Sequence, residues 1–134
     1  MKLLLTIVAV ALFTGCNNDD DSNANASVYG QWSLVKVQGG IAGTTHEFDM
    51  GTITWIFNPD NQTVTVINNN TDDSVNDGFD SGVYDFQVLT VNGNGDCDSQ
   101  MTIDELFSGC MNVTSTTFKL SQQAADGFEY TLKR

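Results

Sequence analysis

Apolar and polar side chains alternate with a period of two along most of residues 28–134, and this pattern constrains the fold more than any other feature. A period of two puts successive side chains on opposite faces of a β-strand, whereas a helix needs a period near 3.6. No stretch of ten or more residues in this region has helical periodicity. The pattern predicts eight strands, at residues 31–38, 52–58, 62–68, 82–91, 99–103, 106–113, 117–122 and 127–133. The sequence therefore predicts an all-β domain.

The same alternation gives these strands one apolar and one polar face. The residues predicted to share the apolar face are Ile53, Trp55, Phe57, Val64, Val66, Tyr84, Phe86, Val88, Met101, Ile103, Met111, Val113, Phe118, Leu120, Phe128, Tyr130 and Leu132. An open sheet of eight sequential antiparallel strands would leave two unpaired edges, whereas closure removes both. We therefore expect an eight-stranded antiparallel up-and-down β-barrel. A two-sheet β-sandwich is the alternative, because meander and Greek-key connections look alike in a sequence.

Two predicted connections are long, at residues 39–51 and 69–81, and a short helical turn is expected near Glu47. In an up-and-down barrel the connections after the first and third strands lie at the same end. We therefore expect both long loops to flank an open mouth. Trp32, at the start of the first strand, is expected at the opposite, closed end.

The first sixteen residues form a separate unit. Met1 and Lys2 precede an apolar run over residues 3–13, which ends on Thr14 and Gly15 just before Cys16. The run is about half of the ~20 residues that a membrane-spanning helix needs, and its order is that of an export signal. The segment resembles a bacterial lipobox, which implies a signal peptide at residues 1–15 and lipidation at Cys16. An ordinary secretory signal is the alternative.

Residues 16–27 are polar and acidic, so they are predicted to form a solvated tether. An acidic run behind a lipidated cysteine is similar to the signal that sends lipoproteins of the Bacteroidetes to the outer face of the outer membrane. A simple polar spacer is the alternative. We expect an outer-membrane lipoprotein that faces the periplasm or the cell surface and touches the membrane only through its lipid anchor.

Charge and composition exclude several classes of function. Five Lys and Arg oppose seventeen Asp and Glu, for a formal net charge of -12, so the chain cannot neutralise the phosphates of a nucleic acid. Its acidity instead favours a soluble monomer. One His and three Cys argue against a zinc or haem site. No cofactor is expected.

Several short motifs carry a resemblance to a known family. Gly30-Gln31-Trp32 opens the first strand and Arg134 follows the last one, while further matches lie at residues 54–57, 68–71, 81–84 and 126–128. The chain resembles the lipocalin-like (calycin-type) lipoproteins of flavobacteria and other Bacteroidetes. The resemblance implies a barrel in which Arg134 packs over Trp32, and it assigns neither a reaction nor a ligand. There are two alternatives: Lys133 packs over Trp32 in place of Arg134, or Trp32 is a core residue without such a partner.

Cys97 and Cys110 are expected to pair, because an exported chain folds in an oxidising compartment. A turn at Asp104 and Glu105 would set Ser99 opposite Cys110, and Cys97 diagonal to it. Two free thiols are the alternative.

Catalytic and metal-binding candidates are few, and no enzyme is expected. His46 lies beside Glu47 and Asp49 in the first long loop, without a nearby Ser or Cys that it could activate as in a catalytic triad. Residues 72–80 and 92–98 concentrate the oxygen ligands that calcium prefers, but neither stretch has EF-hand spacing. We interpret both as solvated acidic loops and predict no metal site.

Two functional hypotheses remain. The first is a non-catalytic module that binds a small apolar molecule at the barrel mouth, among Phe48, Trp55, Phe79 and Tyr84, with Phe48 and Phe79 supplied by the loops as a lid. The second is a filled barrel that acts as a structural or protein-interaction module. Eight strands give an interior just wide enough for side chains or for one small ligand. The predicted inward set is largely aromatic, so a large cavity is not expected.

Overall fold

The computed structural model describes residues 26–91, 97 and 99–134. In these residues it contains nine β-strands and no helix. The strands are β1 (Gly30–Gly39), β2 (Thr44–Glu47), β3 (Ile53–Asn58), β4 (Thr63–Asn68), β5 (Gly82–Thr90), β6 (Ser99–Ile103), β7 (Phe107–Val113), β8 (Thr117–Ser121) and β9 (Phe128–Lys133). The expected signal peptide, Cys16 and residues 16–25 of the expected tether lie outside the described residues.

The sheet is a closed barrel. From β3 to β9 each strand pairs with the next in an antiparallel register, and β1 pairs with both β3 and β9. Ser33 shows the closure directly, because it lies opposite Thr54 of β3 and opposite Lys133 of β9. The predicted eight-stranded up-and-down barrel is confirmed, and the sandwich alternative is excluded.

The ninth strand, β2, lies within the first long connection, where the sequence had suggested a helical turn near Glu47. That expectation was wrong. The Thr-Thr-His-Glu segment pairs with β1 from Lys36 to Gly39, and its two β-branched threonines suit a pleated strand. One edge of β1 pairs with β9 over these residues. β2 therefore pairs with the opposite edge, next to the part of the same edge that pairs with β3. Much of the first connection therefore extends the barrel wall instead of forming a loop.

A β-bulge interrupts β1 opposite β9. The register shifts between Leu34 and Lys36, so Val35 is the extra residue. Leu34 and Val37 both remain fully buried on the inner side, although they are three residues apart. Phe48, in the segment that joins β2 to β3, donates its backbone N–H to the Val35 carbonyl at 2.9 Å. The bulge thus leaves Val35 and Lys36 together on the outer side of the wall.

Large side chains occupy the interior of the barrel. The largest fully buried ones are Trp32, Trp55, Phe57, Phe86 and Phe118. Phe57 is central to this packing, with ring centroids 5.1 Å from Phe86 and 5.6 Å from Phe118, both edge-on. Edge-to-face pairs at such distances add ~0.5 to 1.5 kcal/mol beyond the burial of their area. The barrel core is therefore an aromatic cluster.

Candidate functional site

One end of the barrel is closed around Trp32. Its side chain is 1% exposed, and its indole Nε1 donates to the Val28 carbonyl at 2.7 Å. The guanidinium carbon of Arg134 lies 4.0 Å from the centroid of the Trp32 ring, within the range of a cation–π interaction. The Arg134 side chain also donates to the carbonyls of Ser115, Tyr29 and Ser27. This network ties the strand ends together over the indole.

The loop of residues 69–81 covers the opposite end and holds itself in place through its own polar groups. The Asn68 side chain donates to the Phe79 carbonyl at 3.1 Å, and the Asn70 side chain donates to the Asp77 carboxylate at 2.9 Å. Tyr84 at the start of β5 donates its hydroxyl to the Asp80 carbonyl at 2.8 Å. Phe79 is thereby held pointing into the barrel, 8% exposed.

Gly78 lets this loop approach the core closely. Its φ is +87°, and a β-carbon there would lie 3.4 Å from side-chain atoms of both Leu34 and Trp55. A side chain at this position would be strained by the positive φ, and its β-carbon would contact the core directly. The glycine therefore allows Phe79 to seal the interior, with its ring centroid 5.1 Å from that of Trp55.

An open groove lies on the solvent side of this seal, at the mouth of the barrel. Its volume is about 400 Å³, and its principal lining residues are Asn76, Phe79, Tyr84, Leu106, Phe128 and Tyr130. The rings of Phe79 and Tyr84 are 5.4 Å apart, and those of Phe79 and Tyr130 are stacked at 6.3 Å. Leu106 is 61% exposed, at the turn between β6 and β7. The groove therefore combines aromatic side chains, an exposed aliphatic rim and the polar groups of Asn76 and Asp80.

The four residues expected to form one ligand pocket do not lie together. Phe79 and Tyr84 line the mouth groove, and Trp55 lies beneath Phe79 with no exposed surface. Phe48 lines a separate depression on the outer wall, beside Val35. Phe48 lies apart from the other three residues because residues 48–52 run along the wall between β2 and β3 and do not reach over the mouth.

Sequence reasoning missed three apolar residues of the groove: Leu106, Phe128 and Tyr130. Leu106 was assigned to a strand, although the turn at Asp104 lies at the same barrel end as the loop of residues 69–81. Phe128 and Tyr130 were recognised only as core residues. The order of strands in an up-and-down barrel contained the missing signal, because the connections after β6 and β8 also lie at the mouth.

Burial alters the acidity of both tyrosines in the groove. Desolvation raises the pKa of Tyr130 above its ordinary value of 10.0, while a hydrogen bond with the Asn76 side chain acts in the opposite direction. Desolvation also raises the pKa of Tyr84, and the nearby carboxylates of Asp80 and Asp104 add to the effect. Both hydroxyls are therefore neutral hydrogen-bonding groups at physiological pH.

The Tyr130 shift predicts a loss of stability at alkaline pH. Because the pKa of Tyr130 is raised in the folded state, its contribution is complete below the unfolded value of 10.0 and is lost as the pH rises through the folded value. The free energy of unfolding of the wild type should therefore fall above pH 10, and that of Tyr130→Phe should fall less steeply. Urea unfolding at pH 8 and at several values above pH 10 measures this. Equal slopes in the two proteins would contradict the assignment.

Cys97 and Cys110 form a disulfide, as expected. Their Cα atoms are 5.6 Å apart, and thirteen positions separate them in the sequence. Such a short loop gives ~2 to 3 kcal/mol of stabilisation, mainly by restricting the unfolded chain. The bond joins Cys97, two residues before β6, to Cys110 of β7, away from the mouth groove. Cys110 pairs with Gln100 and not with Ser99, so the expected register was wrong by one residue.

The remaining polar candidates form no compact cluster. His46 lies on β2 opposite Val37. In the acidic loop the Asp72 carboxylate accepts hydrogen bonds from the Ser74 hydroxyl and backbone, which lower the pKa of Asp72, and His46 contributes further to the shift. Within the described part of the chain, no three His, Cys, Asp or Glu side chains are grouped to hold a metal ion. Most of the other acidic stretch, residues 92–96 and 98, lies outside that part.

Comparison of the chain with protein-family models, with curated proteins and with solved structures found no match. In the described ranges, no helix is long and apolar enough to cross a membrane. The geometry of the mouth groove therefore carries the functional proposal.

Proposed function

We propose that the protein is a non-catalytic binding module that holds a small, flat apolar molecule in the mouth groove, on the solvent side of Phe79. The observation that carries this proposal is the groove itself, which has a volume of about 400 Å³ and is lined by four aromatic residues and Leu106, on a protein whose formal net charge is -12. Small-molecule sites are typically concave, ~300 to 1,000 Å³, and apolar with a few polar groups. Asn76 and Asp80 supply such polar groups at this groove.

The ligand lies above the seal in this proposal, and the interior stays filled. Entry into the barrel would require Phe79 to leave its contacts with Trp55, Tyr84 and Tyr130. Binding above Phe79, against the partly exposed rings of Tyr84 and Phe128, requires no such rearrangement, and an aromatic pair contributes ~0.5 to 1.5 kcal/mol beyond its buried area. We propose a flat ligand because four of the eight lining residues are aromatic, namely Phe79, Tyr84, Phe128 and Tyr130.

An environment-sensitive apolar dye tests the groove. We expect saturable binding of about one dye per protein, with quenching of tryptophan fluorescence, because Trp55 lies directly beneath Phe79. Leu106→Asp should weaken dye binding at least tenfold, because it places a charge on the exposed rim. Fluorescence titration of the purified full-length protein gives both quantities.

Leu89→Asp is the matched control. Leu89 is 52% exposed, similar to Leu106, but it lies on the outer side of β5 and does not line the groove. Its substitution should leave dye binding unchanged. Weakening by Leu89→Asp instead of Leu106→Asp would move the site to the β5 surface and overturn the proposal.

A filled barrel that acts as an interaction module is the second candidate, and the exposed end of β5 favours it. β5 pairs with β4 only over Gly82–Asp85, whereas its pairing with β6 covers Phe86–Thr90. In the described part of the chain, residues 87–90 therefore have a strand partner on one side only, and they carry no charge. An edge of this kind accepts an added strand from another protein. No saturable dye binding, with the fold intact by circular dichroism, would favour this function.

We further propose that the barrel is anchored at the cell envelope as an outer-membrane lipoprotein, through acyl chains on Cys16. The support is the lipobox-like order of residues 1–16 and the polar, acidic segment that follows. A clickable fatty acid should label the wild type and not Cys16→Ser when each is expressed in a bacterium that processes lipoproteins. Equal labelling of the two proteins would exclude this anchor.

A further inference from the structure

A second depression lies on the outer wall of the barrel, at the β-bulge of β1. Its volume is about 350 Å³, and it lies between β1, β9 and the segment that joins β2 to β3. It shares no lining residue with the mouth groove. Its apolar part consists of Val35, which the bulge places on the outer side, and the Phe48 ring.

Four charged side chains surround this outer-wall depression, two of each sign. Lys36 and Lys133 are the cations, and Glu47 and Asp49 are the anions. Among the described residues, none of the four has an oppositely charged partner within 4.0 Å, and the ion pair on this wall is that of Lys119 with Glu129. Cross-strand register places Lys36 opposite Glu47, which brings the two signs to neighbouring sides of the depression.

A buried threonine lines the same depression. Thr131 of β9 is 5% exposed, and its Oγ1 has no hydrogen-bond partner in the described part of the chain. The residue sits opposite Lys36 on β1 and opposite Lys119 on β8. Because this oxygen has almost no exposed surface, Thr131 closes the base of the depression, and the charged side chains around it are the groups that a ligand can contact.

The balance of charges selects the kind of ligand. A simple anion would be attracted by the two lysines and repelled by Glu47 and Asp49. A simple cation would be attracted by the two carboxylates and repelled by the lysines. A molecule with separated charges of both signs can be attracted by all four when it is oriented correctly. The Phe48 ring adds a face that favours a cationic nitrogen.

We propose that this depression binds a small zwitterion. Its anionic oxygens lie towards Lys36 and Lys133. Its cationic nitrogen lies towards Glu47, Asp49 and the Phe48 ring. Free zwitterionic metabolites and the zwitterionic headgroups of phospholipids share this chemistry.

Titration of the ¹⁵N-labelled full-length protein with phosphocholine tests the proposal by NMR. We expect saturable shifts of the amides of Val35, Lys36, Phe48 and Thr131, with those of Tyr84 and Leu106 at the mouth unchanged. Choline chloride and inorganic phosphate, which each carry one half of the charge pattern, should bind at least fivefold more weakly. If choline or phosphate bound as tightly as phosphocholine, the site would recognise a single charge and the proposal would be overturned. The absence of any saturable shift with phosphocholine would also overturn it.

Substitutions on the outer wall distinguish binding at this depression from a general effect of the protein's net charge. Lys133→Gln and Glu47→Gln should each weaken phosphocholine binding at least threefold, although they change the net charge in opposite directions. Lys119→Gln is the matched control, because Lys119 lies on the same wall, outside the depression, and pairs with Glu129 at 3.3 Å. An equal effect of Lys119→Gln, or opposite effects of the other two, would show that net charge alone governs binding.

The two sources of the ligand are distinguished with vesicles. Binding to phosphatidylcholine vesicles that free phosphocholine displaces identifies a lipid headgroup. Binding of free phosphocholine without any binding to vesicles identifies a soluble zwitterion.

Discussion

Trp32→Ala is expected to lower the free energy of unfolding by ~3 to 5 kcal/mol, a large part of the ~5 to 15 kcal/mol that stabilises a small domain. The indole is 1% exposed and its centroid lies 5.6 Å from that of Phe118, so its removal leaves a cavity inside the barrel. The Val28 carbonyl loses its hydrogen bond and Arg134 loses the ring beneath it. Urea unfolding followed by circular dichroism measures the change.

Thr63→Ala is the control for this prediction. Thr63 starts β4 and is only partly buried, and its hydroxyl donates to the neighbouring Asn61 side chain. Its truncation should change stability by less than about 1 kcal/mol. Coinciding urea midpoints for Trp32→Ala and Thr63→Ala would refute the role of Trp32 at the closed end.

Gly39→Ala is expected to cost about 3 kcal/mol or more, because two penalties coincide at this residue. The backbone φ of Gly39 is +125°, which residues with a β-carbon adopt only under strain. An added β-carbon would also overlap the backbone carbonyl of Gly127, on the strand-end connection that pairs with this end of β1. Because the overlap is with backbone, a side-chain rotation cannot relieve it.

Gly51→Ala separates the two penalties. Gly51 has a φ of +87°, and a β-carbon there would meet nothing within 4 Å. Its substitution should therefore cost only the conformational strain, ~1 to 2 kcal/mol. Thermal unfolding of the two variants measures the difference in stability. Equal losses would show that the overlap of the added β-carbon with the Gly127 carbonyl does not contribute to the loss of stability in Gly39→Ala.

The period-two pattern predicted the all-β class and favoured the barrel, because closure buries one apolar face repeated over eight strands, but it left a β-sandwich open. It also predicted every end of these eight strands to within one residue. It failed at β2, whose four residues carry too little alternation to be distinguished from a loop. The bulge at Val35 was equally hidden, because it depends on the register between β1 and β9.

The candidate site was predicted less completely than the fold. Phe79 and Tyr84 were identified correctly as residues of the barrel mouth, because strand order alone fixes the end at which they lie. The position of Phe48 depends on a backbone hydrogen bond to Val35 at the bulge, and no local pattern encodes that bond. The contact between Arg134 and Trp32 was predicted from the family resemblance, because alternation does not relate residues that are far apart in the sequence.

The path of the chain into β1 determines how the molecule would stand on a membrane. Residues 27–29 lie at the closed end, where Arg134 holds the carbonyls of Ser27 and Tyr29. An anchor at Cys16, as proposed, would therefore attach the barrel by its closed end. With β1 itself about 33 Å long, the mouth groove would face away from the lipid, well beyond the headgroups. Ligands would then reach it from the aqueous compartment and not from within the bilayer.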